Sequence, residues 1–177
     1  IGALLRRCGA FYLRRSFKGD RLYTAVFRAY VDALIQRGQP MKFYLEGGRS
    51  RTGRLLVPKT GMLSMAVTSA LGGNGAPTAI VPVYIGYDRV MEVNKYFDEL
   101  RGTRPKKGES VGDLVRGSTK VLKRRYGRVC VSFGEPIDLQ AYANTHLPDW
   151  RSRMADLDVD SRPKWLQRFV AELGDRV

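Results

Sequence analysis

The 177-residue sequence predicts an α/β domain with a central, mostly parallel β-sheet, helices on both faces, and the amino-terminal part of the domain missing. Three observations carry this. Strand-like and helix-like patterns alternate through the first half, the segment 78–84 is a continuous apolar β run, and an apolar content of 44% suffices for one core. The chain opens at Ile1 in an apolar, basic run with no helix cap or turn signal ahead of it, which reads as a fragment.

Residues 10–13 are a short apolar run, after which Phe17-Lys18-Gly19 turns the chain to Asp20, a good N-cap. Leu22, Tyr23, Val26, Phe27, Tyr30, Val31, Leu34 and Ile35 recur at helical spacing until Gly38 and Pro40 stop the pattern. Residues 42–45 read as a short strand ending at Glu46, followed by a loop rich in Gly and Arg that runs to about Lys59. A helix is predicted over 60–71, broken by Gly72-Gly73-Asn74-Gly75, and the apolar β run follows. Residues 101–110 form a polar, basic surface loop joining a half over 1–100 to a half over 111–177 within one domain. In the second half, 111–126 reads as a helix with a basic end. A strand over 128–133 alternates Val129, Val131 and Phe133 against Arg128, Cys130 and Ser132, and Gly134-Glu135-Pro136 ends it. A last helix covers 163–173, with Pro163 in its first turn.

Lys and Arg number 31 against 17 Asp and Glu, a formal net charge of +14, so the partners are anionic: nucleic acid, an anionic membrane or a phosphorylated substrate. Cys8 and Cys130 are far apart, with no His or second Cys beside them, so neither a metal site nor a disulfide framework is predicted. Cys130 is expected in the core and Cys8 is expected to be structural. The longest apolar run, 79–87, falls short of the roughly 18 residues that span a bilayer, which limits this segment to peripheral membrane contact.

The stretch Phe43-Tyr44-Leu45-Glu46-Gly47-Gly48-Arg49-Ser50-Arg51-Thr52-Gly53-Arg54 concentrates the chemistry. Ligands of α/β sheets bind at the carboxyl ends of strands, where Glu46 and the arginines fall. Gly47 and Gly48 let a ligand approach the backbone, and Arg49 and Arg51 present planar forks that match phosphate oxygens. Glu46 could pair with a guanidinium or accept from a substrate hydroxyl. Ser50 has no histidine partner in the loop and is expected to donate to phosphate. A solvated basic hairpin is the alternative reading of the same residues.

Gly9-Ala10-Phe11-Tyr12-Leu13-Arg14-Arg15 resembles the second sequence block of the glycerolipid acyltransferases, the Glu46 stretch their third, and Ile80-Val81-Pro82-Val83 their fourth. Longer stretches over 14–23, 46–61 and 81–87, with Gly134-Glu135-Pro136-Ile137 and Leu147-Pro148-Asp149-Trp150, resemble the bacterial membrane-bound branch that acylates glycerol 3-phosphate. The resemblance implies transfer of a fatty acyl group from acyl-CoA or acyl carrier protein to the primary hydroxyl of glycerol 3-phosphate, giving lysophosphatidate for phospholipid synthesis. The thioester is a co-substrate, and no cofactor is expected. It places Arg15, Glu46, Gly47, Arg49 and Arg51 around the glycerol phosphate, with Pro82 in the pocket wall. Arg15 is preferred to Arg14 because neighbours on an extended chain face opposite ways. It also implies an anionic membrane surface as partner and a place at the cytoplasmic face of the inner membrane.

One departure stands against these matches. The family's first block is a His followed five residues later by Asp, a carboxylate-oriented general base, and the sequence holds no such pair. His146 is the single histidine, Arg151 lies five residues after it, and it reads as a structural or surface residue in a turn. The catalytic pair is therefore expected upstream of Ile1, with no catalytic residue in these 177. The charge runs Lys106-Lys107 and Lys123-Arg124-Arg125 read as solvated faces. The rival is a nucleic-acid-binding module built on Arg6, Arg7, Lys18, Arg21, Lys120, Lys123, Arg124 and Arg125; no nucleic-acid motif accompanies them, and no nucleic acid is expected as partner.

Overall fold

The computed structural model describes residues 2–14, 19–48, 54–72, 77–88, 101, 127–158 and 161–177. The expected helix over 111–126, nearly all of the loop over 101–110, the segment 90–100 and most of the glycine break at 72–75 lie outside the described residues.

After a short helix α1 (Gly2–Arg7), the chain runs extended to Arg14 and re-enters helix at α2 (Arg21–Gln36). Asp20 starts α2 as the sequence predicts: its Oδ1 accepts the Tyr23 N–H at 2.9 Å, supplying a partner for a donor that a helix leaves unsatisfied. The helix ends at Arg37, where the Gly38 N–H donates to Ile35 O and the Gln39 N–H to Leu34 O. Phe27 and Val31 are its buried face, while Leu22, Val26 and Tyr30 of the same predicted stripe are exposed.

Helix α3 (Gly61–Gly72) lies at the centre of the molecule. It has almost no polar face, and it buries Leu63, Met65, Val67, Ser69, Ala70 and Leu71. Ser69 Oγ donates to Asp32 Oδ1 at 2.6 Å and Gln36 Nε2 donates to Ser69 O at 3.3 Å, which ties α3 to α2 through a satisfied polar contact. Against the other side of α3 pack α4 (Leu139–His146), α5 (Trp150–Ala155) and α6 (Lys164–Arg176). Leu63, Val67, Leu139, Tyr142, Ala143, Trp150, Met154, Leu166, Phe169, Val170 and Leu173 form one buried cluster. Leu63, Leu139 and Leu173 are each about 1% exposed or less, and full burial of such a side chain contributes roughly 1.5–3 kcal/mol. Helices α4 and α5 are absent from the sequence reading. Asp138 signals the first by accepting the Ala141 N–H at 2.9 Å, and the Trp150 indole completes its own burial by donating to Asn144 Oδ1.

The strands correct the predicted sheet. β1 (Ala79–Ile80) pairs antiparallel with β4 (Ile137–Asp138), and β2 (Val83–Tyr87) pairs antiparallel with β3 (Val129–Phe133). Among the described residues no parallel pair and no central sheet occurs. Residues 42–45 join no ladder, although Met41, Phe43 and Leu45 turn inward while Lys42 and Tyr44 face out, the period of an extended chain. The apolar run predicted as one buried strand is split at Val81-Pro82, where proline brings no N–H to a ladder. Register is kept across the break because the Gly134 N–H donates to Pro82 O at 2.8 Å, and a side chain at 134 would bring Cβ within 3.1 Å of the Pro82 ring. An apolar run reads the same in a buried parallel strand and in an antiparallel ribbon; here every residue of β3 is exposed. Cys130 is therefore exposed too, contrary to the core position expected for it.

Candidate functional site

The chain reaches Glu46 along the extended segment 41–44 and turns at once: the Gly47 N–H donates to Tyr44 O at 3.2 Å, and Gly47 has φ +56°. Only glycine takes that left-handed conformation without strain, and a Cβ there would stand 2.8 Å from Lys59 Cδ. The Lys59 N–H donates to Leu45 O at 2.7 Å, so the loop leaving at Glu46 returns to the same point before α3 begins. The result is a clasp: a closed basic loop whose neck is made by Leu45, Gly47 and Lys59. Glu46 is half-buried at this neck, whereas Gly48 and Arg54 are exposed.

Of the residues predicted to line the site, Glu46 and Gly47 sit together at the neck and Pro82 sits at the break between β1 and β2, against Gly134. Arg15, Arg49, Ser50 and Arg51 lie outside the described residues. Arg14 is exposed and engaged at the surface: Nη1 donates to Asp20 Oδ2 at 3.0 Å, and the guanidinium lies 4.7 Å over the Tyr23 ring. Lys59 is the residue that sequence reading passed over. Its ammonium stem lies on Gly47, a contact across the loop that no local pattern displays, and it adds a cation to the neck.

Outside the loop, His146 ends α4 rather than lying in a turn. Its Nδ1 is 2.9 Å from Tyr142 O, which the N–H tautomer at that nitrogen satisfies, and its ring stacks on Tyr142 with centroids 3.9 Å apart. That is a structural role at a helix carboxyl end. Burial pushes the Tyr142 phenol above its usual pKa, the Glu172 carboxylate adds to the rise, and Arg176 opposes it. A cleft of about 530 Å³ opens beside His146, lined by Trp165, Arg168 and Glu172 among others, and a cleft of about 310 Å³ lies at the start of α2. Neither is lined by Glu46, Gly47 or Pro82. Among the described residues no group of His, Cys, Asp and Glu is placed to hold a metal ion, and no helix is long and apolar enough to cross a membrane.

Residues 1–86 match the acyltransferase family model, and residues 96–177 match that of the glycerol-3-phosphate acyltransferase C-terminal region. A glycerol-3-phosphate acyltransferase of Pseudoalteromonas atlantica is 49% identical over all 177 residues, and one of Ectopseudomonas mendocina is 50% identical over the same length. That of Pseudoalteromonas translucida is 51% identical over 176 residues, 99% of this chain. The chain spans 21% of the length of each of these curated relatives. No solved structure matches.

Proposed function

Because residues 1–86 match the acyltransferase family model and residues 96–177 that of the glycerol-3-phosphate acyltransferase C-terminal region, with glycerol-3-phosphate acyltransferases similar from end to end, we propose that the chain belongs to this family and forms the substrate-phosphate part of such an enzyme. The observation that carries the reading is the clasp. A Gly-Arg loop returns on itself through the Leu45–Lys59 bond, with Glu46 at its neck. In this reading Arg49, Arg51 and Arg15 hold the phosphate of glycerol 3-phosphate, Ser50 donates to it, and Glu46 and Gly47 shape the neck. Lys59 adds positive charge at the neck, and Pro82 forms part of the wall. The primary hydroxyl of the bound substrate attacks the thioester carbonyl of acyl-CoA or acyl carrier protein. The C–S bond breaks, the thiol leaves, and lysophosphatidate results. The proton of the hydroxyl goes to a histidine-aspartate pair outside these 177 residues and from there to the departing thiolate; Arg151, not Asp, lies five residues after His146, and the cleft beside His146 is not lined by Glu46, Gly47 or Pro82. The net charge of +14 supports a peripheral contact with anionic lipid at the cytoplasmic face of the inner membrane.

Titration of the 177-residue chain with glycerol 3-phosphate tests the phosphate site. Arg49→Ala and Arg51→Ala should each weaken binding roughly tenfold, one charge-assisted hydrogen bond's worth, and Lys at either position should restore only part of it. In a full-length protein containing this chain, the KM for glycerol 3-phosphate should rise while that for the acyl donor stays unchanged. Wild-type behaviour in both alanine variants would remove the phosphate role from the loop. Steeply salt-dependent binding of duplex DNA, with no response to glycerol 3-phosphate, would favour the nucleic-acid reading instead.

A further inference from the structure

We propose that the cleft between the carboxyl end of α4 and the amino-terminal half of α6 is a second binding site, separate from the clasp, for a nucleotide. Its volume is about 530 Å³, within the range of small-ligand pockets. Phe169, 3% exposed, is its floor, and Leu147 and Trp165, each half-buried, are its apolar wall. Trp165, Phe169 and Glu172 follow one another at helical spacing along one side of α6, with Arg168 beside them, while His146 closes the cleft from α4.

Two features select a planar, anionic ligand. The first is an unfinished ring stack. The His146 imidazole lies on Tyr142 with centroids 3.9 Å apart and planes 16° from parallel. Tyr142 does not line the cleft, so the cleft meets the opposite face and the edge of the imidazole. A base laid on that face extends the stack by a third ring. Trp165 adds a second aromatic surface, which Arg153, 5.7 Å from the indole centroid but absent from the lining, does not occupy. Nδ1 of His146 serves Tyr142 O, which leaves Nε2 as an acceptor for a sugar hydroxyl. The second feature is charge. Arg168 Nε donates to Glu172 Oε1 at 2.9 Å, so these two lining charges answer each other. Lys164, exposed at the start of α6, is the one lining charge without an opposite partner among the described residues, and it suits a single phosphate. An alkyl chain in the cleft would instead set apolar surface against His146, Lys164, Arg168 and Glu172. The ligand is a free nucleotide or the nucleotide end of coenzyme A, which share this chemistry; only the second identification rests on the acyl-transfer reading.

Tryptophan fluorescence of the 177-residue chain tests the proposal with AMP and coenzyme A in separate arms, both on the Arg49→Ala/Arg51→Ala protein to remove the clasp's own contribution. Trp165 is the reporter, since Trp150 is buried with its indole N–H bonded to Asn144. AMP should quench saturably. Lys164→Gln should weaken AMP binding about tenfold, one charge-assisted hydrogen bond's worth, and leave adenosine binding unchanged. His146→Ala should weaken AMP and adenosine alike, about tenfold, and His146→Phe, which keeps a ring face, should restore most of the loss. Arg128→Gln, beside β3, should change neither. Coenzyme A binding at least as tightly as AMP identifies the coenzyme, and AMP binding the tighter identifies a free nucleotide. No saturable response in either arm, or one indifferent to both Lys164→Gln and His146→Ala, would overturn the site. Glycerol 3-phosphate binding retained by the unaltered chain in that case would leave the clasp standing, so the two readings fail separately.

Discussion

The helical cluster around α3 and the ribbon of β2 and β3 are built from equally apolar residues and end in opposite surroundings. Leu63, Val67, Val170 and Leu173 are sealed to 1% exposure or less, whereas Val129, Val131 and Phe133 are 58%, 49% and 72% exposed. The difference lies in what each element is packed against. Among the described residues, helix α3 is enclosed by α2 on one side and α4, α5 and α6 on the other, while β2 and β3 pair mainly with each other. Apolar composition brings an element out of water only when a second layer covers it, and a two-stranded ribbon by itself has no second layer.

Substitution measures the contrast directly. Leu173→Ala should cost about 2–5 kcal/mol in the free energy of unfolding, because it opens a cavity among Leu63, Phe169 and Val170. Phe133→Ala should cost within about 0.5 kcal/mol, as at an ordinary surface position. Chemical denaturation of the two variants side by side checks both; equal costs would mean that the ribbon is covered as fully as the helices. The clasp stands between these extremes. Gly47→Ala should destabilise by about 1–2 kcal/mol through its left-handed backbone alone, with Lys59 displaced as well. A matching loss of glycerol 3-phosphate binding would link the neck to the site.

Smaller effects sharpen the helical side. Asp20→Ala removes the cap of α2 and the partner of Arg14, and should lower stability by about 1 kcal/mol. Tyr142 offers a test by pH. Its raised pKa means that the folded state keeps the proton longer than the unfolded chain does. This contribution is fully present below the unfolded value of about 10 and is lost as pH climbs from there through the folded value. Unfolding temperature should therefore fall in strong alkali, and fall less steeply in Tyr142→Phe than in the parent chain. Parallel slopes for the two proteins would mean that the phenol titrates alike in both states.

How much of this was legible in the sequence depended on whether the signal was local. The start and stop of α2 follow from Asp20, Gly38 and Pro40, and the second helix from an apolar stretch before a glycine run, so both appear within a residue or two of their predicted limits. The turn at Glu46-Gly47 was visible for the same reason. The direction of the strands was not, since residues 79–87 are apolar whichever neighbour they meet, and that neighbour is a strand some fifty residues away. Cys130 inherited the same error. Helices α4 and α5 are short, six to eight residues, and too brief for periodicity to establish. Lys59 escaped notice because its contact with Gly47 exists only once the loop has closed.

That closure has a consequence for how the loop can vary. Once the Leu45–Lys59 bond has fixed the two ends, the entropic cost of the span between them grows only logarithmically, by about 0.6 kcal/mol for each doubling of its length. Residues inserted between Gly48 and Pro58 therefore weigh little on the framework, and α3 begins at the same place whatever the loop carries. The loop can therefore change its residues while the helices beneath keep their packing, and under the proposed reading this leaves the phosphate contacts freer to vary than the core.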